Sequence, residues 1–334
     1  VYRFADNRRA AGFAVALALE VSLGRAGRFS PVEVVQTRQS IFSLKGLLER
    51  QSSLGIILML PGAILLMVFM AYPFFLGIWL ALTDSVIGTL GKYIGIRNFS
   101  DLLTDSTFHQ TARNTFVYAL VTVPFKAVLG LGMALVLNNR IRFSNPLRAA
   151  VMMPWIVPTA LSSLGWFMIF DPVFSPISWL LKNLGLIKQN VNFLGGPNLA
   201  ISSVCLANIW RGIPFFGITI LAGLQAVPQE LHEAAAIDGA GMWHRFRHVT
   251  IPAIKGVVLI ASLLSIIWTF ADFQLIYVLT KGGPANTTHI FGTYAYQIGL
   301  SATEIGMGAA IALYMFPILA FFAILLLFYL RKED

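Results

Sequence analysis

The stretch Glu233-Ala234-Ala235-Ala236-Ile237-Asp238-Gly239-Ala240, running on to Val249-Thr250-Ile251-Pro252, is a polar, loop-sized interruption between two long apolar segments. Pro228, just ahead of Gln229, is a helix-start signal, so Gln229 through Ile237 reads as a short helix. Gly239 is free to take a turn conformation closed to other residues. Met242 through Val249 reads as a second short helix, and Pro252 is expected to open the next apolar segment. The small side chains of Ala234, Ala235 and Ala236 leave a face that another protein can approach closely. The plain competing reading is a solvated amphipathic loop helix.

What surrounds the loop sets the class. The chain has 334 residues, of which 57% are hydrophobic and only 12% charged. A soluble domain carries about a quarter charged residues, so the composition points to an all-α polytopic membrane protein. Apolar runs long enough to cross a bilayer core of about 30 Å lie at 54–82, 115–137, 149–170, 199–221, 254–279 and 306–330. Six transmembrane helices are therefore expected over residues 54–330, with a loop at 228–252 and a tail at 331–334. Pro61, Pro73, Pro124, Pro154, Pro158, Pro214 and Pro317 sit in or beside these runs and predict kinks.

Residues 1–53 form a basic N-terminal segment carrying Arg3, Arg8, Arg9, Arg25, Arg28, Arg38, Lys45 and Arg50. Its apolar run 10–19 is too short to span and reads as an interfacial or cytosolic helix. Glu20 and the lack of a small-residue cleavage site argue against a secretory signal. Further basic residues gather at Arg140, Arg142 and Arg148, at Arg245, Arg247 and Lys255, and at Arg331 and Lys332. The alternate loops hold Lys92, Arg97, Lys182, Lys188 and Lys281. By the positive-inside rule both termini and the Glu233–Pro252 loop lie in the cytoplasm. The net charge of +9 thus belongs to membrane topology rather than to nucleic acid.

No catalytic constellation is visible. There is no Gly-rich P-loop, so nucleotide is not hydrolysed by this chain in that manner, and neither cofactor nor metal is expected on it. His109, His232, His244, His248 and His289 read as solvated loop residues, although His244 and His248 have a spacing that could ligate a metal. Cys205 lies in an apolar run and reads as a small core residue.

The gapped pattern of the opening stretch resembles the cytoplasmic signature of permease subunits of bacterial ABC importers: Glu-Ala-Ala, three residues, Gly, nine residues, Ile, any, Leu, Pro. Val249 stands for Ile and Ile251 for Leu. Trp166–Leu186 is similar to the external loop of carbohydrate-type permeases. Leu279-Thr280-Lys281-Gly282-Gly283-Pro284 with Thr287-Thr288, and Gly306-Met307-Gly308-Ala309-Ala310, resemble two more of their segments. The likeness covers about residues 50–330 and is greatest to the first, larger-type, of two unlike permease subunits in maltose-type importers.

That resemblance implies the type I importer permease fold with cytoplasmic coupling helices, and import of a sugar or oligosaccharide. It implies as partners a second permease, two ATPase subunits holding ATP and magnesium, and an extracytoplasmic solute-binding protein, all at the bacterial inner membrane and its lipid. Glu233, Ala234, Ala235, Asp238, Gly239, Ala240 and Pro252 would serve ATPase coupling. Carried over by motif, substrate contacts fall on Trp155, Thr159, Asn208, Gly212, Phe215, Trp268, Thr269 and Asp272. Aromatic faces with hydrogen-bonding groups suit a sugar's apolar faces and hydroxyl edges. Gly212 would leave room for a ligand.

Single positions keep second readings: packing for Trp155 and Trp268, interhelical hydrogen bonds for Asn208 and Thr269. Arg211 joins the candidate substrate residues, either meeting an acidic or hydroxyl-rich substrate or pairing with Asp272. Lys126 is expected to snorkel. The alternative class is a secondary transporter without an ATPase, for which Asp272 is the obvious ion-coupling carboxylate.

Overall fold

The computed structural model describes residues 51–139 and 144–333. The predicted interfacial helix at 10–19 and most of the basic N-terminal segment lie outside the described residues. The described chain is helical, apart from isolated β-bridges pairing Thr83 with Tyr93 and Val86 with Thr89. It falls into two compact units, 51–73 and 74–333. The first holds α1 (Gln51–Leu66), a π-helical turn Met67–Ala71 and the start of α2 (Tyr72–Ala81). Leu58, Met59, Phe69 and Met70 are exposed along it, a surface apolar all round of the kind that membrane lipid covers.

In the second unit α3 (Arg97–Leu102) leads to α4 (Ser106–Asn138), capped by the Asp105 carboxylate, which accepts from the Thr107 N–H. Then come α5 (Ser144–Val151), α6 (Met153–Ile156), α7 (Thr159–Ile169) and α8 (Pro176–Asn183). The long α9 (Pro197–Gln225) precedes α10 (Gln229–Ile237) and α11 (Met242–Arg245). A π-helical turn Phe246–Thr250 joins α11 to α12 (Ile251–Phe270), followed by α13 (Phe273–Leu279), α14 (Phe291–Tyr296) and α15 (Ile305–Glu333).

Among the described residues five helical stretches are long and apolar enough to cross a membrane: Ile57–Ala81, Ser106–Asn138, Pro197–Gln225, Met242–Phe270 and Ile305–Arg331. The third expected span, 149–170, is not one of them. It is broken into α5, α6 and α7, with Val157 extended at ψ 130°. Pro158 is the cause: its ring drives the preceding residue out of the helical region, and it has no N–H to continue the ladder. The fifth expected span also differs. It begins at Met242 rather than at Pro252, because the wide turn lets the Ile251 N–H reach the Phe246 carbonyl just ahead of the proline. It ends at Phe270, where Ala271 and Asp272 leave helical geometry before α13. The helices stay continuous through Pro61, Pro124, Pro214 and Pro317.

The centre of the second unit is the crossing of α4 and α9. A Cβ on Gly130 would strike Phe216 and lie 3.0 Å from the Gly217 nitrogen, so only glycine allows this approach. Small residues serve this end inside membranes, where close van der Waals contact replaces the hydrophobic drive. Val123, Ala134, Phe216, Ile220 and Ile254 fill one core around the crossing. Tyr118, Phe170, Val204, Leu275 and Ile290 fill another.

Candidate functional site

The breaks at Val157–Pro158 and Ala271–Asp272 flank a cavity of about 180 Å³. Trp155 of α6, Phe215 of α9 and Trp268 of α12 form one wall. Trp155 and Phe215 stack with ring centres 5.2 Å apart, and Trp268 lies 4.9 Å from Phe215 and 5.4 Å from Trp155. The other wall is polar: Lys126, Asn208, Arg211, Ser265 and Thr269, with Gly212 between. Seven of the nine residues expected at a substrate site therefore line one cavity. Thr159 and Asp272 stand behind it and hold the lining in place.

Asp272 is the hub. It is 6% exposed, and its Oδ2 accepts from the Tyr118 hydroxyl at 2.9 Å and the Asn208 amide at 2.8 Å. Arg211 Nη2 lies 3.5 Å from the same oxygen, while Arg211 Nη1 donates to Thr159 Oγ1 at 2.5 Å. The ion pair with Asp272, one of the two readings of Arg211, is thus formed. Asn208 Oδ1 is buried and accepts no hydrogen bond.

Lys126 departs from expectation. It is 4% exposed and does not snorkel; its ammonium donates to Thr269 Oγ1 at 3.1 Å and Ser265 Oγ at 3.5 Å. Its stem crosses Gly212, where a Cβ would lie 2.5 Å from Lys126 Cδ. The space left by Gly212 therefore holds the lysine rather than a ligand. Lys126, Ser265 and Tyr118 are the residues that sequence reasoning missed. The signal for Lys126 was present: an ionisable residue deep in an apolar run marks a functional interior.

The first half of the 228–252 loop, through Gly239, is built as its sequence specifies; the second half is instead continuous with α12. Pro228 starts α10, and Gly239 ends it with φ +79°. The Gly239 N–H donates to the Ala236 carbonyl at 3.1 Å and the Ala240 N–H to the Ala235 carbonyl at 2.9 Å, the paired bonds of a Schellman cap. The Gln229 amide donates to Glu233 on the exposed face. Ala235, Asp238, Gly239, Ala240, His244 and Arg245 border an open hollow of about 450 Å³. Ala234 and Pro252 are exposed. Ile237 is 87% exposed, and Met242 and Trp243 are exposed beside it, an apolar patch on a polar loop that suits a protein contact.

The expectation of solvated histidines needs one correction. His289 is buried, its ring occupying the space that a Cβ on Gly282 would need and its Nδ1 paired with Thr293 Oγ1 at 3.1 Å. Burial pushes its pKa below the ordinary value. His244 and His248 stack at 4.0 Å, but no group of three His, Cys, Asp or Glu gathers among the described residues.

Residues 126–332 match the family of binding-protein-dependent transport system inner membrane components. The chain belongs to that family. As a permease of this kind it is a transport subunit of the inner membrane, not an enzyme. It is 35% identical over 279 residues to the trehalose/maltose transport system permease protein of Thermococcus litoralis, covering 83% of this chain and 94% of that one. It is 32% identical over 270 residues to the sulfoquinovosyl glycerol transport system permease protein of Agrobacterium fabrum, with 79% and 86% covered. In fold the permease is similar to a chain of the crystal structure of a bacterial ABC transporter involved in import of the acidic polysaccharide alginate: TM-score 0.72, 21% identity, 86% of this chain and 97% of that one. The helical architecture of its described residues is that of type I ABC importer permeases.

Proposed function

We propose that this permease carries a sugar or oligosaccharide into the cell as one subunit of an ATP-driven importer. The observation that carries the reading is the cavity itself: three mutually packed aromatic rings face amide, hydroxyl and cationic groups across about 180 Å³. A pyranose has apolar faces and a hydroxyl rim, and this wall chemistry matches both. The cavity falls below the ~300 Å³ at which ligand pockets usually begin, so one sugar ring fits here and a second permease would complete the path.

Two ATPase subunits hold ATP and magnesium, and one of them receives the Glu233–Ala240 helix end, with exposed Ile237, Met242 and Trp243 as its apolar contacts. A solute-binding protein delivers substrate from outside, and both termini face the cytoplasm. The secondary-transport alternative needs a carboxylate free to exchange ions, whereas Asp272 is held by three partners.

Co-expression with the candidate ATPases, purification and reconstitution test this. The expected result is co-purification of an ATPase and uptake of a sugar, neutral or acidic, that depends on ATP and on the binding protein. Uptake that persists without ATP, or a permease that retains no ATPase, overturns the reading.

A further inference from the structure

We infer that Lys126 is the charge-selecting group of the cavity, so that the transported sugar carries an anionic group, a carboxylate or sulfonate, which binds the Lys126 ammonium. The inference rests on the sugar-importer reading and adds the charge of the substrate to it.

The charges around the cavity do not cancel. Two cations, Lys126 and Arg211, stand against one carboxylate, Asp272. Arg211 has Asp272 at 3.5 Å and Thr159 as partners. Lys126 has only the hydroxyls of Thr269 and Ser265. Among the described residues the ion pairs within 4.0 Å are Arg97–Asp101 and Arg211–Asp272, so no carboxylate contacts the lysine; Asp272 acts on it only through space and is already bonded to Tyr118, Asn208 and Arg211. A buried ammonium without a counter-charge in contact is costly, and an anionic group placed in the cavity would offset that cost.

Its position is built rather than incidental. Lys126 lies twelve residues before the end of α4, about 18 Å along the helix axis at 1.5 Å per residue, too far for a lysine stem to reach the aqueous end. The stem instead passes over Gly212, the one residue type at that point that admits it. The ammonium has three protons and two hydroxyl partners, which leaves a donor for the cavity. The orphaned Asn208 Oδ1 complements it, since it can accept from a sugar hydroxyl. An anionic sugar supplies both missing partners: an acceptor charge for Lys126 and a hydroxyl donor for Asn208.

The test uses the assembled importer with its binding protein in proteoliposomes. Two probes are compared, a disaccharide ending in glucuronate and its neutral glucose counterpart. Wild type is expected to take up the glucuronate probe in preference. Lys126→Met keeps the stem over Gly212 and removes the charge; it is expected to lower the acidic-to-neutral uptake ratio at least tenfold, through KM rather than kcat. Should Lys126→Met fail to assemble, Lys126→Gln gives the same comparison with a hydrogen-bonding head group retained. Wild type that imports only the neutral probe, or a variant whose ratio is unchanged, overturns the assignment while leaving the sugar importer standing. ATP-independent uptake, or no uptake of either probe nor of trehalose or maltose, overturns the importer reading and the inference with it.

Discussion

Replacing Asp272 by Asn tests whether one carboxylate holds the broken segments together. Asp272 Oδ2 accepts hydrogen bonds from Tyr118 of α4 and Asn208 of α9 and pairs with Arg211 of α9. Hydrogen bonds to a charged group contribute about 1.5–3 kcal/mol each and neutral ones about 0.5–1.5. Removing the charge therefore weakens the two short bonds by about 1–1.5 kcal/mol each. Arg211 also loses its counter-charge. Its side chain is 22% exposed and its contact is 3.5 Å long, so that loss is at the small end, about 1 kcal/mol. Asp272→Asn should thus destabilise by about 3–4 kcal/mol, in line with the usual cost of breaking a buried pair.

Arg211→Gln alone should cost about 2 kcal/mol, because the carboxylate keeps Tyr118 and Asn208. The double variant should recover about 1 kcal/mol relative to the sum of the singles, the value of the Arg211–Asp272 pair. Denaturant titration of the detergent-solubilised importer, followed by tryptophan fluorescence, completes the cycle. Asp272→Asn within about 0.5 kcal/mol of wild type, or single effects that add to within about 0.5 kcal/mol, would refute the claim that this network ties α4, α9 and the α12–α13 junction together.

Gly239→Pro should uncouple ATP hydrolysis from uptake or prevent assembly, since proline fixes φ near −65° and deletes the N–H that reaches Ala236; normal coupling in that variant would sink the docking assignment. Gly239→Ala should be milder, about 1–2 kcal/mol of strain at φ +79°, visible as reduced ATPase retention on purification. Gly212→Ala should displace the Lys126 stem and reproduce the uptake phenotype of Lys126→Met; a wild-type uptake ratio would show that the stem moves aside freely. Cysteines introduced at Asn145 and Ser301 in a Cys205→Ser background should react with membrane-impermeant maleimides from opposite faces, and labelling of both from one face would overturn the topology.

The sequence was most legible where a local residue type forces a local geometry. Pro228, Gly239 and the alanines between them specify a capped helix without help from the rest of the fold. The gap at Val157 was within reach of the same reasoning, because Pro158 dictates it, although the apolar run around it counted as a full span. The break at Ala271–Asp272 could not be read in this way. No glycine or proline marks it, and its cause is a carboxylate bonded to Tyr118 and Asn208, residues 154 and 64 positions away. Lys126 was misread for a related reason. Its hydroxyl partners lie more than a hundred residues along the chain, and Gly212, which makes room for it, explains itself only once α4 and α9 are seen to cross.

The uninterrupted helix from Met242 to Phe270 has a mechanical consequence. Its 29 residues make a rod of about 43 Å at 1.5 Å per residue. At one end are Met242 and Trp243, exposed on the loop, and at the other are Trp268 and Thr269, in the cavity wall. A lever of that length magnifies small rotations: a tilt of about 5° about one end sweeps the other through about 4 Å, more than the 2.8–3.5 Å contacts that close the polar wall. A tilt of a few degrees about the Met242 end is thus geometrically enough to open or shut the cavity at the other.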